Sequence, residues 1–157
     1  MEFSDVIKNR YSCKKFSSEQ IGKDKLDAIL EAGRVAPTAK NLQEQHIYVV
    51  QSESALETID KLTPCRYNAP TVLIVAYNKN NVFTYLGDKR NSGIEDATIV
   101  ATHLMLAAYN EGVDSCWINF FNPDELAKAF NLPEDEEILM LLDLGVADKT
   151  TTPLPNH

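Results

Sequence analysis

The sequence predicts one domain of the α+β or α/β class, in which helices cover a single sheet. Three observations lead to this expectation. The chain has 157 residues, a length typical of one domain. Apolar residues make up 44% of it, enough for a hydrophobic core. Helical and strand-like patterns alternate without an internal repeat or a linker, so we expect one domain over residues 1–157 with a short tail from about 148.

Two helices are predicted before the first strand. Ser4 is expected to cap a short helix that ends near Asn9. After Ser17 and Ser18, apolar residues at helical spacing predict a helix over about 23–35, which Pro37 stops.

The middle of the chain predicts two strands around a short helix. Residues 46–51 favour a strand, and residues 53–62 favour a helix with its apolar side turned inward. The β-branched, apolar run 71–77 follows Pro70 and predicts a buried strand. Residues 79–92 are polar and irregular, as in a loop.

The longest predicted helix lies in the second half. Its apolar positions face almost every direction, so it must be buried on several sides, in part by a partner subunit. The predicted elements are this helix over 95–110 with Gly112 at its end, a strand over 115–121, a helix from Asn122 to about 130, a strand over 138–146 and a polar tail.

Charge and glycine content exclude several functions. The net charge of −8 disfavours nucleic acid or an anionic membrane as the main partner. The six glycines form neither a G-x-G-x-x-G motif nor a P-loop, so a bound nucleotide phosphate would have to be held by side chains.

Cysteine and histidine usage predicts a soluble cytoplasmic protein without a metal. Cys13, Cys65 and Cys116 are widely spaced, as expected in a reducing compartment. The N-terminus lacks an apolar signal core, and no apolar run is long enough to span a membrane. The scattered histidines, His46, His103 and His157, do not form a metal-binding pattern.

The segment Arg10-Tyr11-Ser12-Cys13-Lys14 is a candidate phosphate site. In an extended chain, side chains alternate between two faces, so Arg10, Ser12 and Lys14 would point the same way. Two cations and a hydroxyl suit a phosphate. The alternative is an ordinary solvated charge cluster.

A second segment, Ala36-Pro37-Thr38-Ala39-Lys40-Asn41-Leu42-Gln43, is a proline-started turn rich in amides and hydroxyls. It directly precedes a predicted strand. Its side-chain amides are suited to hydrogen-bonding a planar heterocycle.

In this order and at this separation, the two segments resemble the opening motifs of the nitroreductase family, R-R-S-x-R-x-F and A-P-S-x-x-N-x-Q-P-W. The resemblance covers most of the chain. Residues 106–113 (LAAYNEGV), 115–118 (SCWI) and 143–146 (DLGV) are similar to the family's L-A-A-x-x-x-G-L, T-C-W-I and L-G-Y-P patterns.

The resemblance implies an α+β fold with a central, mostly antiparallel sheet flanked by helices, in an interlocked homodimer with flavin mononucleotide (FMN) at the interface. It also implies a ping-pong oxidoreductase. Hydride from NAD(P)H would pass through flavin N5 to a nitroaromatic, a quinone or a similar small acceptor. The cofactor carries this chemistry, so no catalytic side chain is expected.

Residue roles carried over from the family make three groups. At the FMN phosphate, the cofactor-binding residues would be Arg10, Tyr11, Ser12 and Lys14, with a further cation from Lys149 in the tail. At the ring they would be Pro37, Thr38, Asn41 and Gln43 of the other subunit. Near N5 they would be Trp117, Ile118 and Asn119. Lys61 and Arg66 are further candidates for the reduced flavin, or ordinary surface cations. Phe120 stands where a small residue is common and would alter access to the ring.

Two departures from the family keep other functions open. Glu44-Gln45 replaces Pro-Trp, and the tail offers only Lys149 as a late cation. The alternatives are a flavin-binding sensor, store or regulatory protein with little turnover, and an interaction domain that binds some other phosphate.

Overall fold

The computed structural model describes residues 1–155. His157, one of the three histidines considered above as possible metal ligands, lies outside the described residues. The helices and strands are α1 Phe3–Asn9, α2 Lys23–Arg34, β1 Gln45–Val50, α3 Glu53–Leu62, β2 Thr71–Asn78, α4 Gly93–Asn110, β3 Asp114–Ile118, α5 Pro123–Ala129 and β4 Glu136–Gly145. Short 3₁₀ turns lie at Ala39–Asn41 and Leu86–Asp88.

The four strands form one antiparallel sheet in the order β1-β2-β4-β3. The central strands β2 and β4 are buried along nearly their whole length, which explains their continuous apolar runs. The α+β class with an antiparallel sheet, expected from the family resemblance, is therefore confirmed.

Helices cover both faces of the sheet. On one face, α2 and α4 pack together, and Gly33 allows their close approach, since a Cβ there would lie 2.7 Å from Leu104 Cδ2. On the other face, Ile59 of α3 and Leu126 of α5 pack beside Cys13 and Phe16. These two residues belong to residues 10–16, which we call the N-terminal segment. The N-terminal segment is thereby fixed against the sheet.

Local sequence signals explain where several helices begin and end. Asn122 caps α5 by accepting hydrogen bonds from the backbone N–H groups of Asp124 and Glu125. At the end of α4, Gly112 has a left-handed φ of 70°, and the Val113 N–H reaches the Ala108 carbonyl at 2.8 Å. Both ends match the sequence predictions.

Other predicted boundaries are wrong. Helix α1 is not capped by Ser4, because the Glu2 carbonyl accepts its first N–H bonds and the helix begins at Phe3. Strand β3 ends at Ile118 rather than at 121, because the chain turns and the Phe121 N–H bonds to the Asn119 carbonyl at 3.0 Å. The remaining strand and helix boundaries shift by only one or two residues.

Within residues 1–155, no helix combines the length and the apolar character needed to cross a bilayer. The same part of the chain contains no group of three or more His, Cys, Asp or Glu side chains placed to hold a metal ion.

Candidate functional site

A cavity of about 500 Å³ lies where the N-terminal segment meets the end of β3. Its size is typical of small-molecule sites. Side chains from four parts of the chain line it, namely Tyr11, Ser12, Lys14, Cys65, Tyr67, Cys116, Trp117, Ile118, Asn119, Phe120 and Leu154. Six of the residues predicted to bind a cofactor therefore meet in one place, and they come from two motifs that are distant in the sequence.

Pairing with β3 determines which side chains of the N-terminal segment enter the cavity. The Cys13 N–H donates to the Ser115 carbonyl at 2.9 Å, and Ser12 and Ser115 form a parallel bridge. The Cys13 side chain is fully buried, whereas Ser12 and Lys14 are exposed and line the cavity. The predicted alternation therefore holds from Ser12 to Lys14.

Arg10 lies apart from the cavity in this chain. It follows the last residue of α1, is half-buried, and its Nη1 lies 3.5 Å from the Met105 Sδ of α4. A thioether is a weak acceptor. The contact with Met105 therefore leaves most of the hydrogen-bonding capacity of the guanidinium to other partners.

The turn after β3 is fixed by three hydrogen bonds. The indole Nε1 of Trp117 donates to Asn119 Oδ1 at 2.8 Å, and the Thr63 hydroxyl donates to the Phe120 carbonyl at 2.6 Å. The third is the Phe121 N–H bond to Asn119. With its backbone held, the turn presents the Phe120 ring, which is 72% exposed, at the edge of the cavity.

The cavity wall includes residues that sequence reasoning missed. Cys65 and Tyr67 lie just before β2, where Tyr67 has a left-handed φ of 52° and its carbonyl accepts the Phe16 N–H. Leu154 reaches the cavity from the tail. The Asn-Ala-Pro sequence after Tyr67 indicates a turn, but nothing local shows which long-range neighbour the turn will meet.

Several polar groups of the cavity remain protonated at neutral pH. Hydrogen bonding to Cys65, followed by burial, raises the pKa of Tyr67 to about 12. Burial is the main cause that raises the pKa of Tyr11 and of Cys116, each to about 12. These three groups therefore provide neither a thiolate nor a phenolate nucleophile, in line with a site whose chemistry comes from a bound group.

Asp143 lies behind this wall and is fully buried. It pairs with Cys116 across the β3–β4 ladder, and neither of its carboxylate oxygens has a hydrogen-bond partner among residues 1–155. Burial raises the pKa of Asp143 to about 9, although the charge of Arg66 acts to lower it. The carboxyl is therefore neutral at pH 7.

The proline-started loop lies away from the cavity of its own chain. The Ala39 N–H donates to Asp96 Oδ1 at 2.8 Å, and the Gln43 N–H donates to the Thr38 hydroxyl at 3.0 Å. The loop residues Pro37, Thr38, Asn41 and Gln43, predicted to contact a ring, do not line the cavity described above.

The remaining candidate cations are also placed elsewhere. Arg66 forms an ion pair with Asp60 and donates to the Ala69 carbonyl at 2.7 Å, so its guanidinium is already used by the fold. Lys61 and Lys149 are exposed and do not line the cavity. Among the described residues of the cavity wall, Lys14 is the cation.

Phe83 and Tyr85 are aromatic residues of the loop before α4, and their contacts show whether they face a ligand or anchor the loop. Their rings meet edge to face at 5.3 Å, and the Tyr85 hydroxyl donates to Glu95 at 2.7 Å. Arg90 stacks over the Tyr85 ring at 4.4 Å. These contacts anchor the loop.

Comparison with known proteins identifies the family. A model of the nitroreductase family matches residues 7–65 and 63–146. A nitroreductase family protein of Clostridium difficile 630 is 32% identical in its solved structure, with a TM-score of 0.91 over 99% of this chain and 96% of that one. An FMN-dependent nitroreductase of Clostridium difficile R20291 is 25% identical, with a TM-score of 0.79 over 98% of this chain and 92% of that one.

A curated relative gives the same result from sequence. The Bacillus subtilis (strain 168) protein YodC, provisionally named an NAD(P)H nitroreductase, is 28% identical over an alignment of 183 positions that covers 92% of this chain and 89% of YodC. The sequence motifs, the antiparallel α+β fold and these matches agree, and the chain belongs to the nitroreductase family.

Proposed function

We propose that this protein is an FMN-dependent oxidoreductase that takes reducing equivalents from NAD(P)H. The observation that carries the proposal is the meeting of Ser12 and Lys14 with the Trp117–Asn119 segment in one cavity. In this proposal, the phosphate site lies next to a surface for a planar ring. The FMN dependence of the related Clostridium difficile R20291 protein supports this choice of cofactor.

The cavity residues fit the phosphate end of FMN. A hydroxyl and an ammonium on adjacent cavity-facing positions, Ser12 and Lys14, are strong partners for a phosphate dianion. The chain carries a net charge of −8, so a local cation is needed to offset long-range repulsion of this anion. Tyr11 lines the same cavity, and we expect it to complete the phosphate contacts together with Arg10, which would turn from Met105 towards the ligand.

The other wall suits the ring. Trp117 and Ile118 supply an apolar surface, and the fixed turn at Asn119 and Phe120 supplies backbone N–H groups beside it. When bound, FMN supplies a ring nitrogen that accepts hydride and later returns it to an acceptor. The protein positions the ring, limits access by water and keeps the neighbouring thiol and phenols protonated.

A homodimer would complete the site. In the described chain, the loop with Pro37, Thr38, Asn41 and Gln43 lies outside its own cavity, so we propose that it contacts the ring bound by the partner subunit. The dimer interface would include large apolar side chains on α1, at the end of α2 and on α4. Each has an exposed fraction above one third, and they are Phe3, Ile7, Val35, Ile94 and Ile99.

The proposed turnover is ping-pong, with a nitroaromatic, a quinone or a similar small molecule as the second substrate. The exposed Phe120 ring at the cavity edge favours planar aromatic acceptors, which can stack on it. We also propose a cytoplasmic location, consistent with the free thiols of Cys13, Cys65 and Cys116.

The test is the visible absorption spectrum of the purified protein after incubation with FMN and gel filtration, followed by steady-state oxidation of NADH and NADPH with a quinone. We expect bound oxidised flavin and acceptor-dependent turnover. A colourless protein that does not retain FMN would refute the proposal.

A flavin-binding protein with little turnover is the second candidate. Two observations favour it: Lys149 does not line the cavity, and Arg10 lies against Met105. Among the described residues of the cavity wall, this leaves Lys14 as the cation. A dimer that is fully loaded with FMN but does not oxidise either nicotinamide nucleotide would support this candidate against the first.

A further inference from the structure

Two carboxyl groups face each other beneath the proline-started loop. Glu44 ends the loop just before β1, Asp96 lies in the first turn of α4, and their exposed fractions are 2% and 3%. The Asp96 side chain acts directly on the Glu44 carboxyl. Within residues 1–155, no N–H or O–H group lies in hydrogen-bonding geometry to Glu44 Oε1, Glu44 Oε2 or Asp96 Oδ2. Without such a donor, two facing carboxyls can hydrogen-bond to each other only if one of them holds a proton.

The pair connects the loop to the rest of the fold. The second oxygen of Asp96, Oδ1, accepts the Ala39 N–H at 2.8 Å, and the Glu44 carbonyl accepts the Asn78 N–H of β2 at 2.9 Å. Between these anchors the loop adopts a conformation that L-residues rarely use, with φ of 54°, 54° and 51° at Lys40, Asn41 and Gln43. Such a conformation persists only where surrounding contacts hold it.

We propose that Glu44 and Asp96, sharing one proton, are positioning residues that hold residues 36–43 in the shape required to contact FMN. Loss of the shared proton places two negative charges side by side and releases the loop. This inference rests on the proposed function for its ligand, but the loop anchoring itself does not require FMN.

The surroundings of the pair determine the pH at which it responds. Burial, followed by the hydrogen bond to Asp96, raises the pKa of Glu44 from its ordinary 4.5 to about 7. The neighbouring Glu95 of α4 pairs with Arg90, Tyr77 of β2 interacts with Glu137, and Lys40 of the loop is exposed. Among the described charged groups, Asp96 is the one that acts on Glu44.

The sign of the effect follows from this pKa. Because the folded pKa of Glu44 lies above its ordinary value, the folded form holds the extra proton between about pH 4.5 and pH 7. Loop anchoring is therefore complete at low pH and is lost as the pH rises through 7.

The experiment compares the wild type with Glu44→Gln at pH 6 and pH 8.5. Glutamine keeps a donor towards Asp96 without needing a proton. We measure hydrogen exchange of the 36–43 amides in the apo protein, corrected for the intrinsic effect of pH, and the Kd for FMN by flavin fluorescence. For the Kd, the ratio of the values at pH 8.5 and pH 6 is taken for each protein, and the wild-type ratio is divided by that of the variant. The ionisation of FMN affects both ratios equally and therefore cancels.

In the wild type we expect loop opening and the Kd each to rise at least roughly fivefold between the two pH values, a typical size for coupling between sites. In Glu44→Gln both should change little. Glu134→Gln removes an exposed glutamate and should behave as the wild type. Asp96→Asn keeps an acceptor for Ala39 and supplies an amide donor to Glu44, so it should also lose the pH response.

The inference is overturned if the wild-type loop exchanges equally at both pH values, or if Glu44→Gln and Asp96→Asn respond to pH as the wild type does. A wild type that fails to bind FMN at either pH refutes the proposed function instead. In that case the exchange measurement on the apo protein still decides whether the carboxyl pair anchors the loop.

Discussion

The hydroxyl of Thr63 donates a hydrogen bond of 2.6 Å to the carbonyl oxygen of Phe120, and so joins the end of α3 to the turn that follows β3. The Thr63 hydroxyl oxygen also accepts the Cys65 N–H at 3.2 Å. Thr63 is 3% exposed, so neither bond is replaced by water without opening the structure.

Replacing Thr63 by valine should destabilise the protein and loosen the turn. The substitution leaves the Phe120 carbonyl and the Cys65 N–H without their buried partner, which costs about 1–3 kcal/mol of the free energy of unfolding. Urea unfolding measures this loss. Thr63→Ser retains the hydroxyl and should recover most of it, and equal losses in the two variants would contradict the role of the hydrogen bond.

Replacing Asp143 by asparagine should change how stability depends on pH. The folded pKa of Asp143 is about 9 against an ordinary value of 3.8, so the folded protein binds the extra proton between these values. The free energy of unfolding of the wild type should therefore decline as the pH rises across this window, by up to about 1.4 kcal/mol per pH unit. Asparagine cannot ionise, so the variant should gain stability relative to the wild type from pH 5 to pH 8.

Asp148 provides the control for Asp143. It accepts hydrogen bonds from Thr150, which lower its pKa, and the contribution of Asp148 to stability is therefore present above its ordinary pKa and is lost as the pH falls. From pH 5 to pH 8, Asp148→Asn should therefore differ from the wild type by an amount that does not change with pH, because the opposite trend begins only below the ordinary pKa of 3.8. A stability difference between Asp143→Asn and wild type that stays constant with pH would show that Asp143 is ionised.

Replacing Lys14 by glutamine should weaken FMN binding. It removes a charge-assisted contact worth about 1.5–3 kcal/mol, which corresponds to a roughly 10- to 150-fold higher Kd. Lys15→Gln is a matched control, because Lys15 points away and contacts Asp148 and Thr150. Fluorescence titration at low and moderate salt would check both variants, and similar losses in the two would indicate a general charge effect.

Replacing Phe120 by alanine should impair aromatic acceptors selectively. The ring is 72% exposed at the cavity edge, so the loss of stacking should raise the KM for a nitroaromatic roughly three- to tenfold. The KM for ferricyanide, which cannot stack, should stay nearly constant, and Phe120→Trp should retain the preference for the nitroaromatic. A parallel rise in both KM values would instead show that the turn itself is disturbed.

The features of the fold that are determined by residues close together in the sequence were predicted correctly. The cap at Asn122, the left-handed Gly112 and the alternation from Ser12 to Lys14 each follow from local backbone chemistry. Strand β2 was also predicted, because a continuous apolar run of that length suits a central strand.

The rest depends on contacts between distant segments. Nothing near Cys65 or Tyr67 indicates that they will meet Cys116 at a cavity wall. Glu44 resembles a surface acid in sequence, and only the fold brings it to Asp96. The position of Arg10 against Met105 depends on how α1 packs on α4, which sequence periodicity does not determine.

The bridge between Ser12 and Ser115 also affects the edge of the sheet, apart from its place beside the proposed phosphate site. With the order β1-β2-β4-β3, strand β3 lies at the edge of the sheet, and the N-terminal segment pairs with its outer side at Ser115. An uncovered strand margin is a template for pairing with other chains. Truncation or proteolysis before Phe16 would therefore remove the proposed phosphate contacts and also favour self-association through β3. If FMN binds as proposed, a ligand that holds this segment in place would also protect against aggregation.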